Sequence, residues 1–516
     1  MDPPNSSVYR EQLITFEDPD PENLPQMEEP PTWEVLVAIP GSEMHRLYLI
    51  SLLLAIFTTF VVVILKKNSI LKKITEFFPD SCGIMFLGML VNLTMVLIHY
   101  FVEFDRSALL DLANPAVLEH ITITPIILHA SFGLYHPHFF GQFWTIVIYA
   151  IVATVLNAIL IALMLYFFNS ASGIPMSIFI CLTYASLISA VDPVAVLSVF
   201  EAVNANKQLY FLVFGESVLN DGVTYVMFDA FRAFASIESE RINMIPFESY
   251  LCIAGSFVTK PLGGIFFGYL CGLWLALVTK YTTDMSSSRI PLLNILFASL
   301  AYLMSISLKW SGILSLIAFG LTQERYTFRN ISEEAKLKTK NLIHGLAFLM
   351  ETFLFFLLGF EFIHNIQISR VWTEAICILV AIYFARVVVT IFLTGVINRL
   401  KIHRESIGWR WQILIIVGGL RGAVAFAMVL HYSGPYQHLF YDLTVITIFF
   451  TSIVNGLAAK PLVAILNLKQ DEESSELDYK KVYGDKLGPF SRLYQKLERK
   501  YLFKTVLREH PGSDES

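Results

Sequence analysis

Long apolar runs separated by short polar stretches fill most of the chain. Measured against the roughly 20 apolar residues that span a bilayer as a helix, about thirteen runs qualify. They lie near 46–65, 81–102, 121–135, 142–168, 174–200, 208–235, 247–279, 289–308, 311–322, 341–366, 372–397, 409–433 and 437–467. The runs 121–135 and 311–322 are short. The run 247–279 is long, and its Lys260-Pro261 and Gly263-Gly264 predict a break inside it. Residues 1–45 are acidic and proline-rich (EDPDPENLPQMEEPP) and too poor in apolar residues for a core, which predicts a disordered tail. Beyond 467 a charged linker (DEESSELDYKK) leads to Leu493, Tyr494, Leu497, Tyr501, Leu502 and Val506 at helical spacing. That pattern predicts an amphipathic helix for an anionic lipid surface or a partner's groove, or a solvated helix with no fixed partner. The domain reading is therefore a tail over 1–45, a membrane domain over 46–467 and a cytosolic tail over 468–516.

Composition agrees. The 516 residues are 55% hydrophobic and 16% charged, with mean hydropathy +0.59; a soluble chain carries about 25% charged residues. This is an all-α polytopic membrane protein by pattern. The net charge of −6 gives no footing for nucleic acid. All the cysteines (Cys82, Cys181, Cys252, Cys271, Cys377) lie in apolar runs without metal-ligand spacing, so they read as small buried hydrophobes. A basic stretch followed by an apolar stretch at the N-terminus, as in a cleaved signal peptide, is not expected. Lys and Arg crowd the loops of one side (Lys66, Lys67, Lys72 and Lys73; Arg325, Arg329, Lys336, Lys338 and Lys340; Arg399, Lys401 and Arg404) over those of the other (Arg106, Arg241, Lys309, Arg370). The asymmetry predicts an extracellular N-terminus and a cytosolic C-terminus. It also places the glycosylation sequon Asn5-Ser6-Ser7 outside. No P-loop, nucleophile elbow or zinc spacing occurs, so an enzyme reading and a cofactor have no support.

The chemistry concentrates in SAVDPVAVLSVFEAVNANKQLYFLVFGESVLNDGVTY, residues 189–225. Asp192, Glu216 and Asp221 fall inside apolar runs, where ionisable groups are costly and mark function. Pro193 removes a backbone donor and keeps Asp192 from helical geometry, so a carboxylate and a broken helix share one depth. Asp221 is the leading ion-site candidate. A poorly hydrated carboxylate holds a proton more readily than one in water and can yield it to a monovalent cation. The alternative is a permanent internal ion pair. At 100° per residue Glu216 and Asn220 share a face, whereas Asp221 is rotated about 140° from Glu216. Glu216 therefore calls for an internal cation, Arg386 in YFARVVVTIF before Arg421. In IIVGGLRGAVAF, Gly418, Gly419 and Gly422 permit unwinding and Arg421 is suited to freed carbonyls, or the glycines serve only close packing. Two interrupted runs, one in each half, are the pattern of an inverted repeat with crossed half-helices. Ser311 offers an oxygen to a cation or is a small packing residue. Glu351 reads as an interfacial charge. His136 and His138 fall in a short cytosolic loop, either solvated or pH-sensing.

Together ISAVDPVAVL, FGESVLNDG, SGILSLIAFG, METFLFFLLG and GGLRGAVAF, with FPDSCGIMFLGMLV near the start, resemble the animal sodium/proton exchangers of the cation/proton antiporter superfamily. The likeness covers roughly residues 80 to 467, and Val-Asp-Pro-Val-Ala-Val resembles the plasma-membrane branch. It implies a homodimer of thirteen-helix protomers, each with a dimerisation domain and a six-helix core that slides like an elevator. It implies electroneutral one-for-one exchange of sodium (or lithium) for protons, serving intracellular pH, with Na+ at Asp221 beside Asn220. Asp192 would line the site and Glu216 and Arg386 would form a structural pair. Asp485-Lys486-Leu487 and Lys500-Tyr501-Leu502 are similar to the juxtamembrane helix that takes calcineurin B-homologous proteins, giving a partner site over 485–508. Two positions depart from the family pattern: His129 follows Pro-Ile-Ile-Leu where an aspartate is usual, and Ile306 stands where a glutamate is usual. The departures bear on inhibitor sensitivity and pH set-point. The alternatives are a potassium/proton exchanger and a transport-silent scaffold.

Overall fold

The computed structural model describes residues 80–101, 118–171, 176–192, 197, 200, 206–240, 247–281, 287–365, 369–401, 406–466 and 502–507. The run 46–65, Asn5 and Pro193 lie outside them. The described elements are helical, apart from one isolated antiparallel bridge between Asp192 and Leu420. In chain order they are α1 (Asp80–Phe101), α2 (Thr124–Leu134), α3 (Pro137–Gly141), α4 (Phe143–Ile148), α5 (Thr154–Ala171), α6 (Ile178–Ile188), α7 (Lys207–Glu240), α8 (Phe247–Tyr281) and α9 (Ile290–Ser307). There follow α10 (Gly312–Thr322), α11 (Phe328–Asn330), α12 (Glu333–Asn365), α13 (Ser369–Leu400), α14 (Trp409–Val417), α15 (Ala423–Leu430), α16 (Gln437–Leu466) and α17 (Phe503–Val506). Each apolar run from 81–102 onward contains helix. Among the described residues six helical stretches are long and apolar enough to cross a membrane.

The two short runs gain their length from π-helical turns. Leu118–Ile123 leads into α2, and Gln323–Thr327 carries α10 on to α11. Gln323 and Thr327 are buried, and Gln323 Nε2 donates to the Gly272 carbonyl at 3.4 Å. Polar side chains that a hydropathy reading places outside the bilayer are thus absorbed by neighbouring helices.

The break expected at Lys260-Pro261 does not form. Helix α8 runs unbroken from Phe247 to Tyr281 with Pro261 inside it. Its glycines serve contact with the α9–α10 segment instead: a side chain on Gly263 would overlap the Trp310 ring, and one on Gly264 or Gly268 would strike the carbonyl oxygen of Ser311 or Ser315. The Ser311 N–H also donates to the Lys260 carbonyl at 3.1 Å. Neighbouring helices that take up backbone groups in this way let proline stand within a membrane helix. Glu351, which heads an apolar run in the sequence, does not head a helix. Helix α12 starts at Glu333, with Glu333 and Glu334 in its first turn where the helix dipole favours them. Glu351 therefore sits in mid-helix, half-buried.

Two apolar cores hold the helices. One joins α1, α5, α6, α12, α13, α15 and α16 through residues such as Tyr184, Phe356, Phe426 and Phe440. The other joins α2, α7, α9, α10, α13 and α14 through Leu128, Leu212, Ala301 and Leu316. Helix α7 contributes to both, through Phe228 and Leu212. Of the predicted tail helix, only 502–507 is described. There Val506 is buried against Ala276 and Tyr326, and Asn330 Nδ2 donates to the carbonyls of Ala276 and Val506, each at 2.9 Å.

Candidate functional site

Helix α6 ends at Ile188, and the chain from Ser189 to Asp192 is unwound. Across it lies the second interruption, Gly418–Gly422, between α14 and α15. The two stretches cross where the Asp192 N–H donates to the Leu420 carbonyl at 2.8 Å. Local sequence explains the crossing. A residue before proline favours extended geometry, which is the geometry Asp192 needs for the bridge. Gly422 is extended as well, and any side chain there would overlap the Asp192 carboxylate. Only glycine lets the two strands approach so closely.

Unwinding frees carbonyls, and side chains from α7, α16 and the second interruption take them. Arg421, fully buried, donates through Nη1 to Ser189 O at 2.9 Å and Ala190 O at 3.1 Å. A cation at the C-terminal end of α6 also opposes the helix dipole. Asn220 Nδ2 donates to Ser189 O at 3.3 Å, and Ser217 Oγ donates to Val191 O. On the far side Thr451 Oγ1 accepts the Arg421 N–H at 3.3 Å, and Ser452 Oγ reaches the Arg421 carbonyl at 3.5 Å.

Asp221 follows Asn220 on α7 and is buried, close enough to Asp192 for their charges to interact. Because the Asn220 amide nitrogen is committed to Ser189, its oxygen is turned the other way. That Oδ1 is buried and accepts no hydrogen bond. An unmet acceptor of this kind costs about 1–3 kcal/mol, and a bare cation would meet it.

One face round, Glu216 Oε1 lies 2.7 Å from Arg386 Nη1, with both side chains buried. The contact is a charge pair and not an aligned hydrogen bond. Arg386 Nη2 also donates to Ile415 O at 3.1 Å, near the end of α14. Arg421 is therefore not the partner of Glu216. Gly419 faces this pair: a methyl there would meet Arg386 Nε at 3.1 Å. Gly418 ends α14.

Ser311 caps α10 by accepting the Leu314 N–H at 3.3 Å. His136 and His138 are half-buried, and burial holds both below the ordinary imidazole value. The His136 ring stacks on Phe211 at 4.2 Å, and burial, aided by His138 and Lys207, pushes its imidazole down to about 4. Sequence reasoning missed Ser217 and the polar stripe Thr444, Thr447, Thr451 and Asn455 on α16. Both had a signal: Ser217 is one turn before Asp221, and steps of three or four along an apolar helix line one face.

Buried charges at a crossing of two interrupted helices, within a bundle of apolar spans, define a multi-pass membrane protein of the ion-antiporter fold. Residues 53–465 match the model of the family described as "Sodium/hydrogen exchanger, transmembrane". The chain belongs to that family. It is 32% identical over 423 residues to human sodium/hydrogen exchanger 3, covering 80% of this chain and 49% of that one. It is also 32% identical over 404 residues to the Caenorhabditis elegans Na(+)/H(+) exchanger protein 7, covering 76% and 50%. The chain spans about half the length of these curated relatives. The sodium proton antiporter MjNhaP1 from Methanocaldococcus jannaschii shares the fold, with TM-score 0.59 over 81% of this chain and 99% of that one, at 18% identity.

Proposed function

We propose that this chain exchanges sodium or lithium for protons across a membrane, one for one and without net charge movement, and so serves intracellular pH. Asp221 carries the exchange. It takes a proton or the cation and never both, because one carboxylate charge neutralises only one of them. Asn220 offers its unmet amide oxygen to the cation, Asp192 lines the same site, and Ser311 stays a helix cap. The observation that carries this reading is the Asn220 oxygen, buried beside a carboxylate with no donor facing it. Glu216 and Arg386 are structural, since they neutralise each other.

A core carrying the crossing moves against a dimerisation scaffold in a homodimer at the plasma membrane, with a glycosylated Asn5 outside and the C-terminus in the cytosol. A calcineurin B-homologous protein takes the 485–508 region, with Leu502–Leu507 anchored on α8. In proteoliposomes a sodium gradient is expected to drive proton flux in wild type and none in Asp221→Asn. Full flux in that variant would falsify the ion-site assignment, and potassium-driven flux of equal size would overturn the sodium preference.

A further inference from the structure

His129 on α2 and His344 on α12 face each other across a helix–helix boundary. His129 Nε2 lies 3.1 Å from His344 Nδ1, and the ring centroids are 4.8 Å apart with planes tilted by 45°. Both side chains are exposed. The exchange chemistry uses neither residue, and His129 is one of the positions that departs from the family pattern.

Packing joins the pair to α7. Gly133, one turn beyond His129, packs against the Phe214 ring of α7. Phe214 precedes Asp221 by seven residues, about two turns, so the two share a face of α7. His129 is thus linked through Gly133 to the face of α7 that carries Asp221. On α12, Asn341 and Lys338 are exposed towards the N-terminal end from His344. Leu337 and Leu342 are exposed on the same stretch.

The spacing of the nitrogens matters more than their hydrogen bond. Two imidazole nitrogens, each about 2.0–2.1 Å from one tetrahedral ion, sit roughly 3.3 Å apart. The observed separation needs to open by only a few tenths of an ångström. Imidazole nitrogen suits zinc, copper and nickel far better than it suits sodium, which prefers oxygen. We propose that His129 and His344 form a binding site for a transition-metal dication of the zinc class, and that metal held there, by tying α2 to α12, halts the movement that exchange requires. On binding, the ring that donates the hydrogen bond moves its N–H to its other nitrogen, so both rings present a lone pair. Water fills the remaining positions. The dication ties α2, which packs on the Asp221 face of α7, to α12.

The blocking half of this inference rests on the exchange reading; the binding half does not, and the test separates them. The full chain is reconstituted in vesicles as wild type, His129→Gln and His344→Gln. Binding of ZnCl2 is measured by equilibrium dialysis, with Co2+ substituted to report tetrahedral nitrogen ligation by its visible absorption. Loss of a group that merely orients a metal ligand costs roughly 10–100-fold in affinity, and loss of the ligand itself costs no less. Each single variant is expected to bind zinc at least tenfold more weakly than wild type. Sodium-driven proton flux is expected to be zinc-inhibited in wild type and to resist zinc in both variants. Equal zinc affinity in all three proteins would overturn the site, as would zinc inhibition of equal size. Absent flux in zinc-free vesicles would refute the exchange reading while the binding measurement still decides the site.

Discussion

Removing Arg386 is the sharpest perturbation of the internal ion pair. Side-chain exposure is 5% for Arg386 and 2% for Glu216, so neither charge has water to fall back on. Breaking a buried pair by deleting one partner costs about 3–5 kcal/mol, because the other charge stays buried and uncompensated. Arg386→Met also strips the Ile415 carbonyl of its donor, which adds about 1–3 kcal/mol. In Glu216→Gln the guanidinium keeps its bond to Ile415, so the loss falls towards the lower figure. The double variant removes both charges and keeps only the Ile415 penalty. Stability should therefore fall in the order wild type, double variant, Glu216→Gln, Arg386→Met. The assay is thermal unfolding in lipid nanodiscs, followed by tryptophan fluorescence, run as a double-mutant cycle. A double variant that loses the sum of the two single losses would show that the charges do not depend on each other, and the argument for a structural pair would fail.

Two further outcomes follow from the geometry. Gly422→Ala forces a methyl into the Asp192 carboxylate; misplacing the crossing in this way is expected to slow exchange roughly 10–100-fold, whereas Gly395→Ala, which meets open space, leaves the rate at wild type. His136 is held neutral by burial, its imidazole pushed down to about 4, so its stabilising effect is complete above the ordinary value of about 6.5 and is lost as pH falls towards 4. His136→Gln should accordingly leave the pH profile of exchange between 6 and 8 in place; a shifted midpoint would reject the assignment.

A helical bundle and the interruptions in it are legible in the hydrophobic pattern and the backbone chemistry. Apolar runs of bilayer length dictate helices, because a chain in hydrocarbon must satisfy its backbone internally. Pro193 and the Gly418, Gly419, Gly422 set announce where helices fail, and Asp192, Glu216 and Asp221 announce where charge is tolerated. Helical phase alone separated Glu216 from Asp221. Tertiary packing decided what local pattern leaves open. Pro261 breaks nothing because Ser311, Trp310 and Ser315 hold α8 from outside. Glu351 is in mid-helix because α12 extends through polar residues that hydropathy counts as loop. Arg386 rather than Arg421 meets Glu216, because Arg421 is drawn to the open carbonyls of Ser189 and Ala190. No spacing along the chain brings His129 to His344, which are 215 residues apart and meet only because α2 packs on α12. Hydrophobic period and backbone chemistry act within a few turns, so a sequence states them outright; pairing between distant helices is a property of the assembled bundle.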